Sequence, residues 1–161
     1  ELIARCLGTR FLVAGSGTHE AALREQAAEL GLMDHGAFLG WIGDDVLHSL
    51  YRIADVCVVP SIYEPFGLVA LEAMASGCPC IVADTGGLRE VVPHEEAGLR
   101  FRAHDPEALA EMAIRVLSND ELGRSLVAEA YEHLRRFDWA DVAEQTAAVY
   151  ADLVGAQLGQ A

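Results

Sequence analysis

The chain has 161 residues, of which 25 are acidic and 11 basic, so its formal net charge is −14 at pH 7. With 52% hydrophobic and 22% charged residues, the chain can bury a core without disulfides or metals, which excludes disorder and predicts a single globular domain over residues 1–161. Every basic residue is Arg and none is Lys, which excludes Lys-dependent chemistry, and arginines scattered through so acidic a chain argue against nucleic-acid binding.

Short β-branched runs, each followed by turn residues and a helical period, predict an α/β fold, a Rossmann-like parallel sheet with helices on both faces. In chain order, the predicted strands are residues 10–14, 37–40, 55–59, 80–83 and 98–101. The predicted helices are residues 18–30, a helix capped by Asp45 and ending at Arg52, residues 66–76, and three helices after the last strand. These three are predicted to begin at Asp105-Pro106, at Asn119 or Asp120, and at Asp138, the last being a terminal helix over 138–158.

The first predicted strand is preceded only by a short helical segment at residues 1–6. In a βαβ unit such a helix itself follows a strand, so the sheet is predicted to lack its first strand. That strand is central in a doubly wound sheet of order 3-2-1-4-5-6, and its loss is predicted to leave a gap between the two halves.

Cysteines stand at positions 6, 57, 78 and 80, and no Cys or His spacing matches a zinc pattern. They are predicted to be reduced, structural thiols of a cytoplasmic protein. The apolar runs are far shorter than the roughly 20 residues of a membrane span, and the first residues do not resemble a secretion signal. The sequence also has no Asp-x-Asp pair and no cluster of His with carboxylates, so we predict neither a metal nor a cofactor.

The segment 60–77 follows the third predicted strand, and ligands of open α/β sheets bind at the carboxyl ends of strands. Pro65 forces Glu64 out of helical geometry and permits a helix to start just after it. The backbone amides of Phe66, Gly67 and Leu68 then become the unpaired donors of a helix N-terminus, which suits a phosphate.

Glu72 lies just over one turn further along this predicted helix. As a charged acceptor it can take two hydrogen bonds from a vicinal diol such as a ribose. On these residues alone, an alternative stays open, in which Glu64 is a helix-entry acid and Glu72 a solvated side chain.

The run Glu64-Pro65-Phe66-Gly67, with Glu72 after seven intervening residues, resembles the E-x7-E motif of retaining glycosyltransferases of the GT-B fold, family 4, the glycosyl transferase group 1 or glycogen-synthase-like group. Five further segments are similar to the same family, namely residues 14–17, 38–41, 54–61, 77–83 and 85–90. The resemblance spans nearly the whole chain and implies the carboxyl-terminal, donor-binding half of a two-domain enzyme.

The resemblance implies a role for each candidate residue. Glu64 would be the catalytic residue that orients a hydroxyl of the donor sugar, and Glu72 would hold the ribose. The other implied binding residues are Pro65, Phe66, Gly67 and Leu68 at the diphosphate, Gly15 and Gly17 in the first glycine turn, Trp41 at the base, and Gly86 and Gly87 in a neighbouring loop.

The implied partners are a nucleoside-diphosphate sugar and an acceptor glycan or glycoconjugate held by an amino-terminal domain. The family neutralises the leaving diphosphate with an Arg and a Lys from its first strand and the following loop, and this sequence contains neither that segment nor any Lys. The isolated chain is therefore predicted to be inactive.

Other functions fit the sequence less well. A Rossmann dehydrogenase is disfavoured because Glu20 stands where the third fingerprint glycine belongs. The motif argues against a sugar-nucleotide epimerase or a phosphorylase, and the missing Lys further excludes pyridoxal-dependent phosphorolysis. A non-catalytic nucleotide-binding or interaction module of the same fold remains the alternative.

Two surface predictions complete the sequence analysis. Arg100 and Arg102 flank Phe101 in a strand and are predicted to be solvated. Val142, Thr146, Val149 and Leu153 form an apolar stripe on the terminal helix. Since a stripe of this kind must be buried somewhere, we predict that it is partly exposed or packs on another copy of the chain.

Overall fold

The computed structural model describes Leu2 and residues 8–158. The predicted segment 1–6 therefore lies almost entirely outside the described residues. The strands are β1 (Phe11–Ala14), β2 (Gly36–Gly40), β3 (Cys57–Val59), β4 (Cys80–Ala83) and β5 (Leu99–Phe101). The helices are α1 (Glu20–Glu29), α2 (Asp44–Ile53), α3 (Leu68–Ala75), α4 (Leu88–Val91), α5 (Pro106–Leu117), α6 (Asp120–Leu134) and α7 (Trp139–Leu158). Short 3-10 turns at Met33–His35 and Arg135–Phe137 were not predicted.

All strand pairs are parallel, as predicted, but the strands form two separate sheets among the described residues. One sheet pairs β1 with β2, and the other has the order β3-β4-β5. No described strand joins β1 to β3. This arrangement matches a doubly wound sheet without its central strand, so the predicted gap is confirmed.

The two strands that border the gap, β1 and β3, carry exposed apolar side chains. In β1, Leu12 is 54% exposed, and in β3, Val58 is 37% exposed. By contrast, all four residues of β4, the central strand of the larger sheet, are buried. These side chains leave apolar area uncovered on the faces of the two strands. In addition, β1 pairs only with β2 and β3 only with β4 among the described strands, so each has one edge without a described strand partner.

The core lies on both faces of β4, because side chains alternate along a strand. Cys80 and Val82 point into a cluster with Met74 of α3 and Leu88 of α4. Ile81 and Ala83 point to the other face and join a cluster that includes Leu99, Phe101 and Leu126. The larger sheet is therefore covered by helices on both faces, as the α/β prediction required.

Side chains cap the starts of the last three helices, α5, α6 and α7, as the sequence predicts, and the cap of α7 is Asp138, whose Oδ1 accepts from the Ala140 amide. The Asp105 side chain accepts a hydrogen bond from the Ala108 amide, and that of Asn119 accepts from two amides of α6. The prediction that Asp45 caps α2 is wrong. The helix begins at Asp44, and Gly43 is the cap, so both aspartates lie in the first turn, where their charge favours the helix N-terminus.

The described helices include no segment with both the length and the apolar composition that a bilayer crossing requires. Cys57, Cys78 and Cys80 are free thiols, as predicted. Cys6 lies outside the described residues.

The terminal helix α7 carries its apolar stripe on an exposed surface, which is one of the two predicted outcomes. Val142, Val149 and Leu153 are all exposed, as are Trp139 and Tyr150. A contiguous apolar surface of this kind marks a contact site.

We predict that the isolated chain self-associates, because α7 exposes an apolar stripe and β1 and β3 each have an edge without a described strand partner. Sedimentation over micromolar to millimolar concentration should show a mass that rises with concentration. Val149→Asp should reduce this association, whereas Ala151→Asp, at an exposed position on the opposite face of the same helix, should not. A monomer throughout, without binding of an apolar-surface dye, would contradict the prediction.

Candidate functional site

Glu64 lies in the loop that connects β3 to α3, as Pro65 predicts. Its side chain is half-buried, and Oε2 accepts a long hydrogen bond from Ser61 Oγ at 3.4 Å. The loop follows the carboxyl end of a parallel strand, where ligands of open α/β sheets bind. A carboxylate is thus held at this edge of the sheet with one oxygen only weakly engaged.

Helix α3 begins later than predicted, at Leu68 rather than at Phe66. Gly67 is the cap residue and has φ 114°, in the left-handed region that favours glycine. A Cβ at this position would also lie 2.8 Å from Leu88 Cδ2. Phe66 remains in the loop, where its ring makes an edge contact with Phe137 at 6.1 Å between centroids.

The amino terminus of α3 presents unpaired donors. In the described part of the chain, none of the backbone amides of residues 66–69 donates a hydrogen bond to a protein atom. Leu68 and Val69 are exposed, so a ligand can reach this end of the helix. Together with the helix dipole, equivalent to about half a positive charge, these amides can bind an anion.

Glu72 lies four residues after Leu68, so both residues share one face of α3. The rise between them is about 6 Å, from 1.5 Å per residue, which is comparable to the separation between a phosphate and the ribose diol of a nucleotide. Glu72 is half-buried beside Tyr51 of α2. Burial raises the pKa of Tyr51 above its ordinary value, and the nearby Cys57 and Glu72 raise this pKa further.

The loop of Gly86 and Gly87 packs directly against the Glu64 loop, as its two glycines allow. The Gly87 amide donates to the Glu64 carbonyl oxygen at 2.9 Å. A Cβ on Gly86 would overlap that same oxygen. A Cβ on Gly87 would lie 2.6 Å from Phe66 Cα and from two carbonyl oxygens. These positions therefore exclude larger residues because of backbone contact within the protein.

Thr85 is a residue that the sequence analysis missed. Its Oγ1 donates to the Ile62 carbonyl oxygen at 2.9 Å, which adds a second link between the two loops. A side chain that bonds a backbone atom 23 residues away leaves no local sequence signal. With the Gly87–Glu64 bond, this contact limits the freedom of the Glu64 backbone.

The prediction that Arg100 is solvated is wrong, whereas Arg102 is exposed. The Arg100 side chain is only 28% exposed, and its Nε lies 3.6 Å from Asp84 Oδ1. Arg89 Nε donates to the same Asp84 oxygen at 2.9 Å, and Arg100 Nη1 donates to the Arg89 carbonyl at 2.8 Å. Two guanidinium groups thus share one carboxylate directly beside the Gly86–Gly87 loop, which leaves a net positive charge in this triad.

Gly15 and Gly17 lie on the other sheet, in the loop after β1. This loop lines an open cavity of about 340 Å³ together with Leu23 and Phe38. Trp41 follows β2 and is 80% exposed. All three candidates lie beyond the carboxyl ends of their strands. However, no hydrogen bond or ring contact within the described residues joins them to the Glu64 loop.

A larger depression of about 530 Å³ lies at the opposite end of the larger sheet. It is lined by residues that precede β3 and β4, such as Asp55 and Pro79, and by residues of α6. The amino ends of parallel strands do not carry the ligand sites of open α/β sheets. In the described residues, no group of three or more His, Cys, Asp or Glu side chains is arranged to hold a metal ion.

Parallel strands with helices on both faces, and loops gathered at their carboxyl ends, define a Rossmann-like domain of the kind found in GT-B glycosyltransferases. The model of the family of glycosyl transferases group 1 matches residues 7–133. The chain belongs to this family.

Curated relatives agree with this assignment. An uncharacterized glycosyltransferase of Methanocaldococcus jannaschii is 39% identical over 142 residues, which are 88% of this chain and 36% of that protein. A D-inositol 3-phosphate glycosyltransferase of Corynebacterium glutamicum is 41% identical over 131 residues, 81% of this chain and 31% of the relative. The chain thus spans about a third of the length of these relatives.

Solved structures share the fold. Sucrose-phosphate synthase of Thermosynechococcus elongatus superposes with a TM-score of 0.85 at 36% identity, over 96% of this chain and 41% of that one. The carboxyl-terminal domain of a group 1 glycosyl transferase from Francisella tularensis gives a TM-score of 0.74 at 25% identity, over 84% of this chain and 72% of that domain. HepE of Anabaena, solved with UDP, superposes with a TM-score of 0.84 at 24% identity, over 94% of this chain and 43% of that one. The match to an isolated carboxyl-terminal domain is consistent with the predicted half of a GT-B enzyme.

Proposed function

We propose that residues 1–161 are the donor-binding domain of a retaining glycosyltransferase, which binds a nucleoside-diphosphate sugar for hexosyl transfer to a polysaccharide or glycoconjugate. The observation that carries this proposal is the row of unpaired amides at residues 66–69, with the Glu72 carboxylate one turn further on the same helix face. This arrangement suits a diphosphate attached to a diol-bearing ribose.

The proposed roles follow from this placement. Glu72 accepts hydrogen bonds from the ribose hydroxyls, and the amides of Phe66, Gly67 and Leu68 bind the diphosphate beside Pro65. Glu64 orients a hydroxyl of the donor sugar. Trp41 contacts the base, Gly15 and Gly17 bind the substrate from the first glycine turn, and Gly86 and Gly87 admit the ligand from the neighbouring loop.

Retention of the anomeric configuration needs no protein nucleophile in this proposal. The departing phosphate oxygen accepts the proton of the acceptor hydroxyl on the same face of the sugar. Catalysis then comes from positioning and from stabilisation of the leaving diphosphate. Glu64 contributes by holding the sugar, and its backbone is in turn held by Gly87 and Thr85.

The charges around the proposed site limit how well the isolated chain can stabilise a bound diphosphate. A carboxylate 4 Å from a diphosphate repels it by about 1–4 kcal/mol, depending on the effective dielectric constant. The helix N-terminus offsets part of this repulsion, and the Asp84–Arg89–Arg100 triad adds positive charge nearby. We infer that an Arg/Lys segment and an acceptor-binding domain of the whole protein supply the rest, and that the chain alone does not turn over.

The comparisons support the ligand class. HepE, which shares the fold, is solved with UDP and with UDP-glucose. Relatives named as D-inositol 3-phosphate glycosyltransferase and phosphatidyl-myo-inositol mannosyltransferase act with different acceptors. Titration with a panel of nucleoside-diphosphate sugars would identify the base and the sugar of the donor. A cytoplasmic location also stays a prediction.

A ligand panel tests the proposal. Thermal shift followed by calorimetry should show that at least one of UDP, ADP and GDP binds, and that one of its sugars binds with a different affinity. In Glu64→Gln, we expect this preference among sugars to shrink while the affinity for the bare nucleotide changes little. Equal losses for bare nucleotides and sugars would remove Glu64 from the sugar site, and no binding across the panel would overturn the proposal.

Nucleotide binding is predicted to be independent of divalent metal, because the sequence has no Asp-x-Asp pair and no His/carboxylate cluster. Titrations in EDTA and in Mg²⁺ or Mn²⁺ should give the same affinity within error. A strict requirement for either ion would contradict this prediction.

A further inference from the structure

Two thiols lie directly opposite each other in the larger sheet. Cys57 of β3 is the register partner of Cys80 of β4. Register partners on parallel strands direct their side chains to the same face. The core confirms this placement, since Cys80 is buried in the cluster of Met74 and Val82, and Cys57 packs against that cluster.

The two thiols are chemically unequal. Cys80 is fully buried, whereas Cys57 is half-buried and so partly open to solvent. A hydrogen bond from the Cys80 thiol lowers the pKa of Cys57. The same hydrogen bond, together with burial, raises the pKa of Cys80. The accessible thiol is therefore the better nucleophile, and its neighbour retains its proton.

The third thiol of this region is engaged elsewhere. Cys78 Sγ donates to the Ala54 carbonyl oxygen at 3.6 Å. Burial raises the pKa of Cys78 to about 12. Cys78 thus provides a natural comparison for the Cys57–Cys80 pair, because it lies in the same core but is not a register partner of Cys57.

We propose that Cys57 and Cys80 are an oxidation site, which a hydroperoxide converts into a cross-strand disulfide. The Cys57 thiolate attacks the peroxide and breaks the O–O bond, which yields a sulfenic acid and releases hydroxide (or alkoxide). The Cys80 sulfur then attacks the Cys57 sulfur, the S–O bond breaks, and the Cys80 proton leaves with the hydroxyl group as water. Two thiols are oxidised by two electrons, and the peroxide is reduced.

The backbone geometry favours this bond over other pairings. Disulfides usually join Cα atoms 4.4–6.8 Å apart, and adjacent strands lie about 4.7–4.9 Å apart in the hydrogen-bonding direction. The Cα atoms are therefore within disulfide range without a change of strand pairing, and closing the bridge requires the two Cβ atoms to approach to about 3.5–4.5 Å. The closed loop would contain residues 58–79, which include both Glu64 and Glu72, so oxidation would tether the whole proposed donor segment.

The experiment uses the full chain with Cys6→Ser, so that only three thiols remain. After treatment with hydrogen peroxide, cleavage at Glu residues separates Cys57 from Cys78 and Cys80, whereas trypsin leaves all three in one peptide. We expect a disulfide between the two Glu-cleavage peptides in this protein and in its Cys78→Ala variant. It should be absent in Cys57→Ser and in Cys80→Ala, and a dithiol reductant should reverse it.

A second readout is stability. Closing a loop of this size should raise the Tm by roughly 5–10 °C, in the parent and in Cys78→Ala but not in Cys57→Ser. Circular dichroism of the reduced variants checks that they fold. Three results would each overturn the proposal. The first is a bridge that persists in Cys80→Ala but not in Cys78→Ala. The second is a Cys57 that is oxidised only to its sulfenic or sulfinic acid, and the third is unreacted thiols in the folded parent.

Discussion

Gly86→Ala should lower the free energy of unfolding by about 2–5 kcal/mol. The residue has φ 44°, a left-handed conformation that costs a Cβ-bearing residue about 1–2 kcal/mol. The new methyl group would also overlap the Glu64 carbonyl oxygen, and overpacking of this kind costs about 1–3 kcal/mol. Urea denaturation measures the sum, with an unchanged m-value expected if the folded state keeps its compactness.

Two other glycines separate these contributions. Gly15 has φ 111° but open space around its Cβ direction, so Gly15→Ala should show the backbone cost alone. Gly17 has neither a left-handed φ nor a close neighbour, so Gly17→Ala should change stability by less than about 1 kcal/mol. If Gly86→Ala lowers the free energy of unfolding no more than Gly15→Ala does, the two loops separate at little cost. In that case the packing of the Gly86–Gly87 loop does not position Glu64.

Glu72→Gln should weaken binding of the preferred nucleoside diphosphate about 10- to 150-fold. The substitution preserves shape but removes the charge, and hydrogen bonds to charged groups are worth roughly 1.5–3 kcal/mol. The loss should be similar for the bare nucleotide and for its sugar, because the proposed contact is to the ribose. Calorimetry on both ligands measures this.

The control for Glu72 is Glu129→Gln on α6, an exposed glutamate outside the proposed site. This variant makes the same change in net charge, so it corrects for general electrostatics and should leave affinity unchanged within error. A 2′,3′-dideoxy nucleotide supplies the complementary test, since it should bind equally to the parent and to Glu72→Gln. Equal affinity of both proteins for the natural nucleotide would refute the ribose assignment.

Much of the site region was predictable because its signals are local. Pro65 excludes Glu64 from a helix wherever the chain folds, and the Asp105-Pro106 and Asn119 starts depend only on neighbouring amides. The start of α3 was misplaced by two residues because Gly67 adopts a left-handed φ that no sequence pattern requires. The close approach of Leu88, which lies 21 residues further along the chain and leaves little room for a Cβ at Gly67, is likewise a tertiary contact without a local sequence signal.

The sequence by itself determined the parallel α/β class and the five described strands, since each follows from periodicity and chain order. It also placed the two candidate carboxylates, Glu64 in the loop after β3 and Glu72 on α3. Only the tertiary structure decided what surrounds them. The Asp84–Arg89–Arg100 triad, the Thr85 bond to Ile62 and the facing of Cys57 and Cys80 join residues distant along the chain or on different strands. Such contacts depend on register and on loop packing, which are set when the whole sheet assembles and carry no local pattern.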